Sequence, residues 1–377
     1  MRLGLPSAPP SPPAPPSPPA PPLPSPALGP PVAGEAAHRP EVGAPEGARA
    51  VLRVGIAGAG FMGGTHAPRW AALEGVRVVG VYSRSKGRAE ALAGPLGATA
   101  TDDLRALVHM DIDALDICLP TDAHCALALE ALAAGRHVVC EKPLALTVED
   151  GERMVAAARD AGRLLLVAHV VRFWPEYAHL RQLLGEGAIG RPTAAAAQRL
   201  QQGPGWVPDA GQIRARSGGP VVDLQIHDDD YLSWLFGEPQ RVFACGAARH
   251  VLTSLVFDGV VAAAEAAADM PPGFPFTSSV RVRGDGGVLE YVFRAGGARP
   301  DEPAGGVSLL SLQTPGRGPE RVAVPEGDPY ARQLAHFAAC LRRGEPSPVI
   351  PPEDAIRAVR VALAARRSLE SGQPVSP

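Results

Sequence analysis

The feature that most constrains this fold is a glycine-rich turn set between an apolar run and a helical stretch. Val51-Leu52-Arg53-Val54-Gly55-Ile56-Ala57 is short and apolar, as expected of a strand buried on both faces. Gly58-Ala59-Gly60-Phe61-Met62-Gly63 follows directly, and then a helical stretch through His66 to Leu73. With 42 glycines in 377 residues the spacing alone is weak evidence. Its place between strand and helix makes it a dinucleotide-binding fingerprint. Gly58 permits the tight turn, Gly60 lets bare backbone approach a pyrophosphate, and Gly63 allows close helix–strand packing. The helix start then offers free N–H groups and a positive dipole end to the phosphates. Phe61 and Met62 lie inside the turn and count with the glycines as cofactor-binding positions.

The same alternation continues. Val76 to Tyr82, Ala114 to Leu119, His137 to Cys140 and Leu164 to Val171 read as strands. Between them Lys86 to Ala93, Ala123 to Ala134 and Thr147 to Ala161 read as helices. Gly135 is placed to end the second of these, and Thr147 and Asp150 have capping-box spacing at the start of the third. Strands alternating with helices at this pitch mean a doubly wound parallel α/β sheet of Rossmann type over residues 51–173. Beyond residue 173 the pattern changes. Segments around 192–200, 240–268, 278–294 and 305–324 read as longer strands between Gly/Pro turns, and helices near 328–343 and 353–370 end the chain. Residues 174–377 are therefore expected to form an α+β domain with a largely antiparallel sheet. Residues 1–50 stand apart: the run from Pro6 to Pro31 is mostly Pro, Ser and Ala, and reads as a disordered Pro-rich tail. Trp206 sits in a Gly/Pro-rich segment that could form a lid.

Composition narrows the partners. A net charge of −3 gives no general attraction to nucleic acid or to an anionic membrane. No stretch approaches the roughly 18 apolar residues of a membrane span. The five cysteines are odd in number and include no Cys-x-x-Cys pair, which fits a reducing cytoplasm and argues against a disulfide framework or a metal site. Of the 36 basic residues only Lys86 and Lys142 are lysine, and asparagine is absent, an imprint of GC-rich coding.

The cofactor is read at the end of the second strand. An acidic residue about 20 positions beyond the glycines would hold the ribose 2′-hydroxyl of NAD. Ser83 occupies that place, followed by Arg84 and Lys86. A hydroxyl beside two cations suits a 2′-phosphate, so NADP(H) is favoured and NAD(H) stays possible. Glu141-Lys142-Pro143 follows a predicted parallel strand, at the carboxyl edge where open α/β sheets bind ligands. Lys142 could there hydrogen-bond a substrate hydroxyl and stabilise an alkoxide. Asp223 and His227 are four apart, on one face if Val221 to Phe236 is helical. His227 is the natural proton acceptor; Asp223 either orients it or binds a second hydroxyl. Asp228-Asp229-Asp230 reads as mostly solvated or complementing the helix dipole. His66, inside the first helix, reads as a packed histidine. Arg172 and Trp174 follow the last parallel strand and either line the substrate cleft or, for the arginine, form a salt bridge at the domain seam.

GIAGAGFMG at 55–63, ICLPTDAH at 117–124, CEKPLA at 140–145, AHVVRFWPEY at 168–177 and GGPVVDLQIHDDDYLSWLFG at 218–237 occur in this order. Together they resemble the Gfo/Idh/MocA family of NAD(P)-dependent oxidoreductases, which includes inositol and glucose–fructose dehydrogenase types. The resemblance covers most of residues 51–377. It implies a Rossmann domain followed by a domain built on a large, open, mostly antiparallel sheet, with the substrate in the cleft between them. It implies hydride transfer between a nicotinamide and a hydroxyl or keto carbon of a sugar, an inositol-like polyol or a sugar derivative. By resemblance Lys142, Asp223 and His227 are catalytic and Glu141 helps hold the nicotinamide ribose. Pro120, Thr121 and His124 match the family's turn beside the cofactor, where many members carry asparagine at position 121 or 122. An exposed sheet face that supports dimers or tetramers is also implied, as is a site without metal. A nucleotide-sensing regulator of the same fold, or a lyase or hydrolase keeping its NAD tightly bound, is the alternative.

Overall fold

The computed structural model describes residues 51–203, 216–247, 249–297 and 305–377; the tail at 1–50 and Trp206 lie outside them. The first unit is built from strand–helix repeats. β1 (Leu52–Ala57) leads through the glycine turn to α1 (Phe61–Ala71), then β2 (Val76–Tyr82), α2 (Lys86–Ala93), β3 (Thr99–Thr101), α3 (Leu104–His109) and β4 (Ala114–Ile117). α4 (His124–Ala133), β5 (His137–Glu141), α5 (Val148–Asp160) and β6 (Leu165–Ala168) complete it. Among the described residues these strands form a six-stranded parallel sheet in the order β3-β2-β1-β4-β5-β6. The order reverses between β1 and β4, the switch point at which such sheets bind ligands. The predicted punctuation is in place. Gly135 takes a φ of +75° after α4, and the Thr147 hydroxyl accepts the Asp150 N–H at 3.1 Å. The last strand is shorter than expected, because the chain turns into a 3₁₀ helix at Val170–Phe173.

α6 (Pro175–Gly185) leads into the second unit, whose strands are β7 (Pro192–Gln202), β8 (Arg241–Ala247), β9 (His250–Val256), β10 (Val261–Met270), β11 (Thr277–Gly284), β12 (Val288–Arg294), β13 (Val307–Gln313) and β14 (Glu320–Arg321). Their order is β14-β13-β12-β11-β7-β10-β9-β8. β7 and β10 pair in parallel at the centre, and the other pairings are antiparallel. Side chains alternate along the strands: Val251, Thr253 and Leu255 of β9 are buried, while Leu252, Ser254 and Val256 face outward. One face thus packs on helices and the other stays open.

α7 (Gly219–Asp223) and α8 (Ile226–Phe236) stand where one helix was expected. The break at Leu224–Gln225 is slight, since the Leu224 and Gln225 amides still bond to the Pro220 carbonyl. α9 (Pro329–Arg343) and α10 (Pro352–Ser371) return to the first unit. Leu334, Phe337 and Leu341 share a core with β1 and β2. Ala355, Ile356 and Val359 join the core of β4 and β5, and Val361, Ala364 and Ala365 join that of the second sheet. The last two helices therefore staple the units together, so packing does not follow the chain boundary at residue 173.

Candidate active site

The glycine turn has the geometry its three positions demand. Gly58 adopts φ +126°, and a Cβ there would lie 2.5 Å from the Cys118 carbonyl oxygen. A Cβ on Gly63 would lie 1.8 Å from the Gly58 carbonyl oxygen, so only glycine lets α1 start this close to β1. Around Gly60 nothing among the described residues comes within 4 Å of a Cβ, leaving its face open. α1 starts at Gly60 with no side-chain cap among the described residues and no acidic residue in its first turn, and Phe61 and Met62 form that turn. The start of a helix with no side-chain cap and no acidic residue fits a dinucleotide pyrophosphate. At the end of β2, Ser83 is half-buried and Arg84 and Lys86 are exposed, so this rim carries a hydroxyl and two cations and no carboxylate at Ser83.

Across the switch point, Pro120 is half-buried and precedes the turn at Thr121–Ala123, where Thr121 is buried. His124 joins two loops: Nδ1 lies 2.9 Å from the Pro143 carbonyl and Nε2 lies 2.8 Å from the Leu119 carbonyl. Burial lowers its pKa despite these carbonyls, so the neutral ring donates to one of them at a time. It is a scaffold residue linking the β4 loop to the Glu141-Lys142-Pro143 turn.

That turn leaves the carboxyl edge of β5, with a cis Lys142–Pro143 peptide. Lys142 Nζ donates to Asp223 Oδ1 at 2.9 Å and to the Asp223 carbonyl at 2.7 Å. The lysine of the first unit and the carboxylate of the second are thus held together. The Lys142 amide donates to Glu141 Oε2 at 3.1 Å, and Glu141 Oε1 lies 3.2 Å from His66 Nε2. His66 is packed as expected. Its Nδ1 lies 2.9 Å from Asp116 Oδ2, which also accepts the Trp70 indole N–H at 2.7 Å. Burial opposes charge on this ring, but Asp116 leads the interactions that outweigh it, and the His66 pKa rises well above its ordinary value. An imidazolium between two carboxylates therefore underlies the turn. The Asp116 partnership is one the spacing missed; a charge inside the apolar run Ala114-Leu115-Asp116-Ile117 was the available signal, since a buried carboxylate needs a partner.

Among the described residues no hydrogen bond joins Asp223 to His227; the Asp223 carboxylate instead accepts from Lys142. His227 is half-buried, and its Nδ1 has no hydrogen-bond partner among the described residues. Burial first, then the cations Lys142 and Arg199 and the neighbouring His169, push its pKa well below the ordinary value. The ring is thus neutral.

The Asp228-Asp229-Asp230 run corrects the sequence reading: each residue is at most 1% exposed. α8 lies in the interior, and long-range cations compensate two of the three. Arg199 of β7 holds Asp228 through two bonds of 3.0 and 2.8 Å. Arg172 holds Asp230 through two bonds of 2.9 and 2.6 Å. Among the described residues the Asp229 carboxyl receives only the Gln225 side-chain amide, at 3.1 and 3.3 Å. Arg172 also bonds the Val349 carbonyl at 2.9 Å and Asp354 at 2.7 Å. It is the salt-bridge residue of the two alternatives, with its guanidinium spent on the seam. Trp174 packs edge-on against Phe293 at 5.1 Å and against the second core, which makes it a packing residue.

Two family models match this chain. Residues 52–169 match the oxidoreductase family with an NAD-binding Rossmann fold, and residues 177–290 match the Gfo/Idh/MocA C-terminal domain. The chain belongs to the Gfo/Idh/MocA oxidoreductase family. This oxidoreductase is 28% identical over 346 residues to scyllo-inositol 2-dehydrogenase (NAD(+)) of Bacillus subtilis, covering 86% of this chain and 96% of that one. It is 29% identical over 316 residues to 1,5-anhydro-D-fructose reductase of Ensifer adhaerens, covering 79% and 90%. In structure it is similar to UDP-N-acetylglucosamine 3-dehydrogenase of Acidithiobacillus ferrooxidans, with TM-score 0.72, 26% identity and coverage of 85% and 98%. Among the described residues no helix of the oxidoreductase is long and apolar enough to cross a membrane.

Proposed function

We propose that this oxidoreductase transfers hydride between a nicotinamide and a hydroxyl-bearing or keto carbon of a sugar, polyol or sugar derivative, using Lys142, Asp223 and His227. The observation that carries this reading is the Lys142–Asp223 bridge between the two units, with a neutral His227 four residues along. A bound nicotinamide supplies or accepts the hydride. His227 takes the proton of the substrate hydroxyl. Lys142, a compact ammonium, stabilises the charge that develops on that oxygen. Asp223 keeps the ammonium in place, and Glu141, backed by His66, is positioned to hold the nicotinamide ribose. NADP(H) is the favoured cofactor, on the strength of Ser83, Arg84 and Lys86; the inositol dehydrogenase relative carries NAD(+) in its name, and NAD(H) is the comparison to run. Five free cysteines support a cytoplasmic enzyme. The open sheet face supports a homo-oligomer.

A thermal-shift comparison of NADP(H) with NAD(H) tests the cofactor, since a ligand bound only by the native state raises the melting point. A larger shift with NAD(H) overturns the preference. Nicotinamide absorbance is then followed across inositols, hexoses and nucleotide sugars. Lys142→Met is expected to bind cofactor as well as wild type and to lose turnover by about 10²-fold or more. A variant that keeps its turnover removes Lys142 from the chemistry.

A further inference from the structure

His227 lacks the partner that a base of its kind requires. A neutral imidazole accepts a proton at one nitrogen only, and the hydrogen bond made by the other nitrogen sets which one is bare. A carboxylate commonly makes that bond. Asp223 is the carboxylate that spacing nominates, yet Lys142 engages it at 2.9 Å. Nδ1 of His227 remains buried and unpartnered among the described residues.

A second buried imidazole, that of His169, approaches the same helix at Asp230 and has no assigned task. β5 and β6 end in register, Glu141 opposite Ala168, so the next residues, Lys142 and His169, leave the carboxyl edge side by side. His169 is 1% exposed, and neither of its ring nitrogens finds a hydrogen-bond partner among the described residues. Its Nδ1 faces Asp230 Oδ2 at 3.6 Å. Asp230 is three residues after His227 on α8, on the same side of the helix. The charged and titratable groups acting on His169 are Asp230 from α8, Arg172 from the 3₁₀ turn, and Lys142 and Glu141 from the β5 edge; His227 in turn is acted on by His169.

Resting on the reading of His227 as the base, we propose that His169 is its positioning residue. The Nδ1–H of His169 points at Asp230, and its bare Nε2 receives, through one water, the hydrogen bond that starts at Nδ1–H of His227. Buried water typically serves buried polar groups that otherwise lack partners. Each ring carries one proton and neither is charged, which burial favours. The arrangement leaves Nε2 of His227 bare, the nitrogen through which it takes the proton.

The test is nitrogen-15 NMR of the full-length protein labelled at histidine, with His227→Gln and His169→Gln spectra assigning the two rings. In wild type at neutral pH, His227 is expected to be neutral with its proton on Nδ1. His169→Phe keeps the ring volume and removes the acceptor; the proton of His227 is then expected to divide between both nitrogens. His169→Gln retains an acceptor and is expected to restore the wild-type tautomer. A wild-type His227 protonated on Nε2 overturns the proposal whether or not the variants fold, and so does a Phe variant with an unchanged tautomer. His169→Leu takes the place of Phe if the latter does not fold. Turnover of His227→Gln tests the base separately: if it persists, the base is misassigned even where the tautomer result stands.

Discussion

Asp229 shows how little a residue's identity says without its surroundings. Asp228, Asp229 and Asp230 are the same side chain three times, and all are buried. Arg199 and Arg172 compensate two of them. Asp229 has an amide in place of a cation, and burial pushes its pKa well above the ordinary value. The carboxyl is therefore protonated when folded, and the linkage has a definite sign. Its contribution to stability is fully present below the unfolded value of about 3.9. It is lost as pH rises, by about 1.4 kcal/mol per unit, until the folded value is passed. Asp229→Asn cannot ionise, so its melting temperature relative to wild type is expected to climb between pH 5 and 8. A flat difference across that range contradicts a protonated Asp229. Asp228→Asn strands Arg199 in the interior and is expected to cost about 3–5 kcal/mol, read as a lower denaturation midpoint. Lys142, Asp223 and His227 stood out in the sequence, but the Lys142–Asp223 contact did not: the two residues are 81 apart, and helical spacing reports only neighbours on one element.

At the scale of elements, the strand–helix alternation was legible because its strands are mostly apolar and Gly135 and Thr147 punctuate it. β3 and α3 escaped notice: a strand of three residues and a helix of six are too short for periodicity to register. The glycine turn, the most legible element, also permits the sharpest separation of fold from function. Gly63→Ala places a methyl carbon against the Gly58 carbonyl at 1.8 Å, backbone that cannot yield without parting α1 from β1. It is expected to lower stability by at least about 1–3 kcal/mol together with cofactor affinity. Gly60→Ala meets no described atom within 4 Å, so its melting temperature should match wild type while cofactor affinity falls, because the methyl occupies the face left for the pyrophosphate. Melting curves and cofactor titrations of both variants check this. Equal loss of stability in the two would show that the turn is a structural device alone.

For the whole molecule, the order of two sheets was readable, but the return of α9 and α10 to the first unit was not, since amphipathic helices do not announce which sheet they cover. The open face of the second sheet follows from that division of labour. The helices cover one side, and the other exposes Leu252 at 50%, Val261 at 58% and Val307 at 49%, with Phe243, Val256 and Leu309 nearby in exposure. On β8, β9 and β10 they alternate with polar side chains: Val256 lies between Val261 and Arg241, and Leu252 between Glu265 and Cys245. An exposed sheet face that mixes apolar and charged side chains in this way can serve as an interaction surface, and a two-fold axis would bring the same face of both copies together. A second copy laid on it can reach the ~1,600 Å² of a stable interface. Leu252→Glu combined with Val261→Glu puts like charges on both halves of such a contact. In sedimentation or light scattering the wild type is expected to be a dimer or tetramer and the double variant a smaller species. Both substitutions point away from the core, so the variant should retain its cofactor-induced thermal shift. A wild type that is monomeric at micromolar concentration, or a double variant of unchanged mass, assigns the apolar face some other role.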